Sequence, residues 1–328
     1  MAGNDGYEMF EEEVRGREGP EGLRSRRRLS RQERVTKTAK GLPEAVVKFT
    51  SWGKSQSRAA AHAKYISREG KENGDLPVEL EDGTVLREAK EVEIVLDSWF
   101  ARQGQQKKNQ RHTANIVLSS PKGSDPETVR NAARSFAGDY FGNHEYMFVL
   151  HTDTENPHVH LTVKARDFDG KQLHVNKADL KAAREVYEVH LAEQGIETNV
   201  SYRSERGKHM RPLSREYAQM AKRGVKPDNE IERERKAATS ALRPEQPEPW
   251  KDAMARTDAK TVAESIAAAR ALEAQETYPG EHAEDIERLK VFAAGIHRAE
   301  ITTRNDLVRA KPGAGEFDKQ DREDEIER

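Results

Sequence analysis

The segment HTDTENPHVHL, residues 151–161, gathers three histidines and two carboxylates into one short stretch. Residues two apart on a strand point to the same face, so His158 and His160 project together. The short TENP link has a hairpin pattern and folds His151, at the end of the preceding strand, back beside that pair. Three imidazoles meeting in this way leave coordination positions open for water or a phosphate oxygen. The chain has no cysteine, which excludes disulfides, cysteine nucleophiles and thiolate metal sites. A metal must therefore be held by His, Asp or Glu; Mn²⁺, Mg²⁺ and Zn²⁺ are candidates, and imidazole ligation favours the transition metals. A lone His-x-His is more often a surface or core pair. The third histidine, with Asp153 and Glu155 in the link, shifts the balance to a metal site. Asp153 is a candidate base or a group that orients a ligand histidine, its plainer role being to shape the hairpin, and Glu155 is the second candidate for either task. On these residues alone the chemistry is metal-assisted hydrolysis or group transfer.

The elements that must position this segment can be read from pattern. EYMFVLHTD (145–153) and HVHLTVKAR (158–166) are predicted strands, as are AVVKFTSW (45–52) and HTANIVLSS (112–120). Helices are expected at SQSRAAAHAKYISREGK, at 88–103, at 125–140 behind the SDPE entry with its proline at N1, and near 177–194. ENGDLPVELEDGT (72–84) reads as a turn-rich connection. Strands interleaved with helices, one pair forming a hairpin, predict an α+β fold: a central, largely antiparallel sheet flanked by helices, with a charged helical C-terminal extension.

The chain has 328 residues, of which 35% are charged and 6% aromatic, and its mean hydropathy of -0.97 is too polar for one core over the whole length. The expected organisation is an acidic-then-basic flexible arm (1–44), a catalytic domain (45–210), a linker (211–250), a helical region (251–310) and an acidic disordered tail (311–328). In the arm, Arg24, Arg26, Arg27 and Arg28 would track phosphates or form a solvated charge run. Val262, Ile266, Ala269 and Leu272, with Leu289, Ala293 and Ile296, recur at helical spacing and predict a helical hairpin. The net charge of -2 averages over segments that face different partners, so it does not exclude nucleic acid. No apolar run approaches the roughly 18 to 20 residues of a membrane span, and the N-terminus lacks the apolar core of a secretory signal. The expectation is a cytoplasmic protein with no membrane insertion.

AHAKYISREGK, then NIVLSSPKG, then HTDTENPHVH resemble, in order and spacing, the three motifs of the P-type relaxases of conjugative plasmids. That family includes the endonucleases that nick T-DNA borders and belongs to the HUH endonuclease superfamily. The similarity runs from about residue 45 to 207, roughly half the chain. It implies that Tyr65 is the nucleophile, that Ser119 lies in the motif contacting DNA near the nick, and that His151, His158 and His160 hold a divalent ion, Mg²⁺ or Mn²⁺. Ser120 competes with Ser119 for the family serine. Arg68, Arg203, Arg206 and Lys208 are carried as DNA contacts, surface ion pairs being the plain alternative for the last three. The implied substrate is plasmid DNA at an origin of transfer, single-stranded near the nick. Accessory relaxosome proteins and a type IV coupling protein are the implied partners, with export alongside the strand into a recipient cell.

The implied reaction is compatible with the residues. A free tyrosine has a pKa near 10, so attack at neutral pH needs a base or a nearby cation. The product is a phosphodiester to tyrosine, which keeps the bond's transfer potential and allows rejoining without ATP. Within the superfamily, rolling-circle initiators and single-tyrosine transposases place their tyrosine after the histidine motif, whereas Tyr65 precedes it. The rival from another class is a non-catalytic DNA-binding mobilisation protein. Without the other motifs, Tyr65 would be read as an anchor of an amphipathic helix. His62 and His112 are read as incidental.

Overall fold

The computed structural model describes residues 30–69, 76–101, 110–208, 215–241, 249–298 and 306. In chain order the elements are α1 (Arg31–Ala39), β1 (Val46–Gly53), α2 (Gln56–Ile66), β2 (Val78–Leu80), β3 (Val85–Leu86), α3 (Ala89–Ala101), β4 (Thr113–Ser119), α4 (Pro126–Phe141), β5 (Tyr146–His151), β6 (His158–Lys164) and α5 (Lys177–Glu193). A 3-10 turn (Ser204–Arg206) and helices α6 (Arg215–Lys222), α7 (Asp228–Ala241), α8 (Pro249–Gln275) and α9 (Ala283–Arg298) follow. They form two compact units, one holding residues 41–200 and the other residues 31–40 together with the chain after Val200.

The first unit is α+β, as the strand and helix pattern predicts. Its six strands lie in the order β1-β4-β6-β5-β2-β3, and every named pair is antiparallel. Alternation along the strands gives the sheet two faces. Val47, Ile116, Leu118, Val159, Leu161 and Phe148 face α4 and α5, where Phe136, Tyr187 and Leu191 complete the larger core. Met147 and Val149 face the other way, into a smaller core with Ala59, Ala63 and Ile66 of α2 and with Leu96, Trp99 and Phe100 of α3. The sheet is thus covered by helices on both sides, α2 reaching from β1 to β5 and α3 lying against β3 on the second face.

Local signals explain where these helices begin. Ser55 caps α2 by accepting from the Arg58 amide, and Asp125 caps α4 by accepting from Thr128, with Pro126 at the first helical position. Asn176 and Asp179 form a reciprocal capping box on α5. β1 carries an irregularity between Phe49 and Ser51, where Thr50 turns out of register and its hydroxyl donates to the Asn115 carbonyl at 3.0 Å.

Four findings differ from the sequence reading. The stretch 72–84 carries β2 and the turn through Asp82 and Gly83 that leads into β3 just after it; strands of three and two residues are too short for a period to show. Residues 31–39, inside the expected arm, form α1, whose Val35 packs with Ala268, Ala269, Ile286 and Leu289 in the second unit's core. The expected linker 211–250 carries α6 and α7. The predicted hairpin of α8 and α9 is present, with Leu289, Ala293 and Ile296 buried, but Ile266 is 40% exposed. Ala269 of the predicted stripe is buried, but Thr261, Ser265 and Ala268 complete it, small residues that a period of large apolar side chains does not register. The basic run at 24–28, most of the arm and the acidic tail lie outside the described residues. Among the described residues no helix is long and apolar enough to cross a membrane.

Candidate metal centre and its tyrosine

Strand register builds the centre. His151 of β5 pairs directly with His158 of β6, and His158 pairs on its other side with Ser119 of β4. His160, two residues on, stands on the same face between Val149 and Val117. One ligand nitrogen from each of His151, His158 and His160 lies within 4.8 Å of the others. Their ring centroids are 4.4 to 5.2 Å apart. Only residues directly opposite, or two apart, on adjacent strands come this close on one face.

Hydrogen bonds select which nitrogens are free to ligate. The Ile66 carbonyl stands at the C-terminal end of α2, where carbonyls lack intrahelical partners, and His151 Nε2 meets it at 2.6 Å. A carbonyl only accepts, so Nε2 carries the proton and the lone pair of His151 is on Nδ1. His158 Nδ1 meets the Asn156 carbonyl at 3.1 Å and by the same argument presents Nε2. Desolvation, followed by the positive potential of His151, His158, His62 and Arg68, lowers the pKa of His160 to about 3. Burial likewise lowers His151, the bond to Ile66 opposing and Arg68 assisting. Lowered pKa values at His151 and His160, with carbonyl partners that fix the tautomers of His151 and His158, suit a divalent transition ion, so these residues fit such an ion.

The same region receives Tyr65, 86 residues before His151 in sequence. α2 crosses the sheet face that carries the histidines, and Ala59, Ala63 and Ile66 anchor it there. That anchoring leaves Tyr65 58% exposed, with its ring edge-on to His160 at 6.3 Å between centroids. His62, one turn earlier, lies nearly parallel to the Tyr65 ring at 6.4 Å, and desolvation lowers its pKa. Sequence reading set His62 aside; the available signal was its i,i+3 spacing from Tyr65 on one helix.

The remaining predicted residues separate. Arg68, expected to contact DNA, is ion-paired with Asp153, sits 3.3 Å from His151 Nδ1 and lies over the Tyr65 ring at 5.9 Å. Desolvation raises the Asp153 carboxyl, and the opposing pull of Arg68, with smaller ones from His151 and His158, carries it below the ordinary value. Glu155 instead pairs with Lys122 at 2.7 Å in exposed positions. Ser119 is half-buried on β4 in the same row as His158 and His151. Ser120 is buried, and its hydroxyl meets the Tyr187 hydroxyl at 2.9 Å. His112 is buried against Phe100, a core position. Arg203, Arg206 and Lys208 belong to the second unit, around the 3-10 turn.

Residues 65–196 match the family model described as relaxase, MobA/VirD2-like, nuclease domain. The T-DNA border endonuclease VirD2 of Rhizobium rhizogenes is 27% identical over 183 residues, covering 48% of this chain and 39% of that protein. Its counterpart from Agrobacterium fabrum is 28% identical over 128 residues, covering 36% of this chain and 28% of its own length. The chain therefore spans less than two fifths of the length of these relatives. A solved chain from work on vancomycin resistance transfer in Staphylococcus aureus superposes with a TM-score of 0.35 at 18% identity, over 48% of this chain and 97% of the other.

Proposed function

We propose that this chain, whose residues 65–196 match the MobA/VirD2-like relaxase nuclease domain model, nicks one strand of plasmid DNA at an origin of transfer by tyrosine transesterification. The observation that carries the reading is the approach of an exposed tyrosine ring to within 6.3 Å of a histidine in a three-imidazole cluster. A tyrosine serving only to anchor its helix would be turned into the core, where Ala59, Ala63 and Ile66 already do that work.

In this reading Tyr65 Oη bonds to the scissile phosphorus, the P–O3′ bond breaks, and the 3′ oxygen leaves with a proton. Asp153 is the proposed acceptor of the phenolic proton or the group that orients Arg68, since it joins the tyrosine side of the site; Glu155 is turned to Lys122 instead. His151, His158 and His160 would hold the divalent ion, Mg²⁺ or Mn²⁺, and charge developing on the non-bridging phosphate oxygens is what such an ion neutralises. Ser119, in the same row of the sheet, is the proposed contact to the strand at the nick, with Arg203, Arg206 and Lys208 as phosphate contacts from the second unit. Relaxosome proteins and a coupling protein of a type IV secretion system are the proposed partners.

The test is incubation with an origin oligonucleotide and Mn²⁺, followed by mass spectrometry of the protein. A mass increase equal to the 3′-side fragment is expected for the wild type and none for Tyr65→Phe. Given two substrates of different length, the wild type should also join them into hybrid strands. Free 5′-phosphates without an adduct would make the protein a water-using nuclease, and a shifted band without cleavage would make it a binding module.

A further inference from the structure

We infer that Arg68 is a built-in cation that covers the Nδ1 corner of the histidine cluster and must give way when a metal ion enters. The inference rests on the metal-centre reading above and concerns how that centre is loaded. Three observations meet in this residue. His151 spends its Nε2 proton on the Ile66 carbonyl, so its ligand atom is Nδ1, and that is the atom Arg68 approaches at 3.3 Å. The guanidinium is held in place by Asp153 and lies over the Tyr65 ring. Its backbone has φ of +61°, and Arg68 is the one non-glycine residue with positive φ among the described residues. A side chain in that left-handed region is strained, and glycine is the residue this position after a helix ordinarily takes. The strain is sustained because the αL turn aims the side chain back over the end of α2 toward the hairpin.

A lone pair cannot serve a guanidinium and a metal ion at once, and the two cations also repel. The apparent affinity for metal is then the intrinsic affinity reduced by the fraction of molecules in which Nδ1 is uncovered. One guanidinium nitrogen makes both contacts, to Nδ1 and to Asp153, so releasing Nδ1 asks for a rotation of the side chain and not a loss of the turn. DNA phosphate offers the guanidinium a bidentate partner of the same kind as Asp153. Metal and DNA would therefore favour each other's binding, because each draws Arg68 and Nδ1 apart.

The experiment measures free Mn²⁺ by its solution EPR signal during titration of the full chain without DNA, so no activity is read. Arg68→Gly removes the side chain and relieves the backbone, which keeps the fold intact; Arg68→Lys keeps the charge without the fork. The expected result is Mn²⁺ affinity about 10-fold tighter for Arg68→Gly, as for a corner uncovered in roughly a tenth of wild-type molecules. Arg68→Lys should fall between the two. Equal or weaker binding by Arg68→Gly, with wild-type binding lost in His160→Ala, would overturn the inference and leave the metal centre standing. Wild-type binding indistinguishable from His160→Ala would overturn the metal centre, and the inference with it.

Discussion

The three histidines are equivalent as ligands in sequence but not in what they do for the fold, and that difference is measurable with no metal present. His151 is 1% exposed and donates to the carbonyl of Ile66, itself fully buried at the end of the tyrosine helix. His151→Ala leaves that carbonyl without its donor, a loss of about 1–3 kcal/mol. Removing the packed ring costs about 1–2 kcal/mol more. For a domain of this size each kcal/mol moves Tm by roughly 2–4 °C, so His151→Ala should lower Tm by about 4–20 °C. His158 is half-buried and bonds an exposed loop carbonyl at Asn156, and its alanine variant should cost under about 1 kcal/mol. The assay is thermal and urea unfolding of both variants in excess chelator, so that metal contributes nothing to the difference. His151→Gln, whose amide can still donate, should recover part of the loss. Equal destabilisation by His151→Ala and His158→Ala would refute the assignment of the Nε2 proton to the Ile66 bond, and with it the choice of Nδ1 as ligand.

Burial, with repulsion from Glu145 assisting, raises the Glu81 carboxyl to about 6 against backbone bonds that lower it. A raised folded-state pKa means stability is fully present below the unfolded value near 4.5 and is lost as pH rises through 6. Glu81→Gln should therefore match the wild type at pH 4.5 and exceed it by about 1–2 kcal/mol at pH 7; a constant difference across urea titrations at the two pH values would contradict this. Ser120→Ala strands the fully buried Tyr187 hydroxyl and should cost about 1–3 kcal/mol, whereas Ser119→Ala should leave stability within about 0.5 kcal/mol and weaken oligonucleotide affinity. The reverse pattern in denaturation and binding assays would exchange their roles. Since the two cores of the first unit and the core of the second share no residues, a fragment of residues 41–200 should unfold cooperatively and still form the DNA adduct. Its failure to fold, by circular dichroism, would show that the second unit is required.

Period-two alternation made the histidine cluster legible in the sequence, because His158 and His160 on one strand and His151 across the short 152–157 link have almost no other way to lie. The same local logic located β1, β4 and the larger helices, whose caps at Ser55, Asp125 and Asn176 act within a single turn. What pattern alone left open was everything set by contact between distant segments. Tyr65 reaches His160 only because Ala59, Ala63 and Ile66 pack α2 against Met147 and Val149, and no local period encodes that crossing. Arg68 is a surface cation in sequence; the left-handed turn after α2 and the position of Asp153 make it part of the centre. Ser119 and Ser120 are adjacent and chemically identical, and only the sheet's two faces send one to the histidine row and the other to Tyr187. α1 has one buried valine to show for its amphipathicity, so its place was decided by the partners α8 and α9 supply. Local periodicity follows from backbone geometry that each residue carries with it, whereas burial is a property of the pair, and it exists only once the chain has brought both members together.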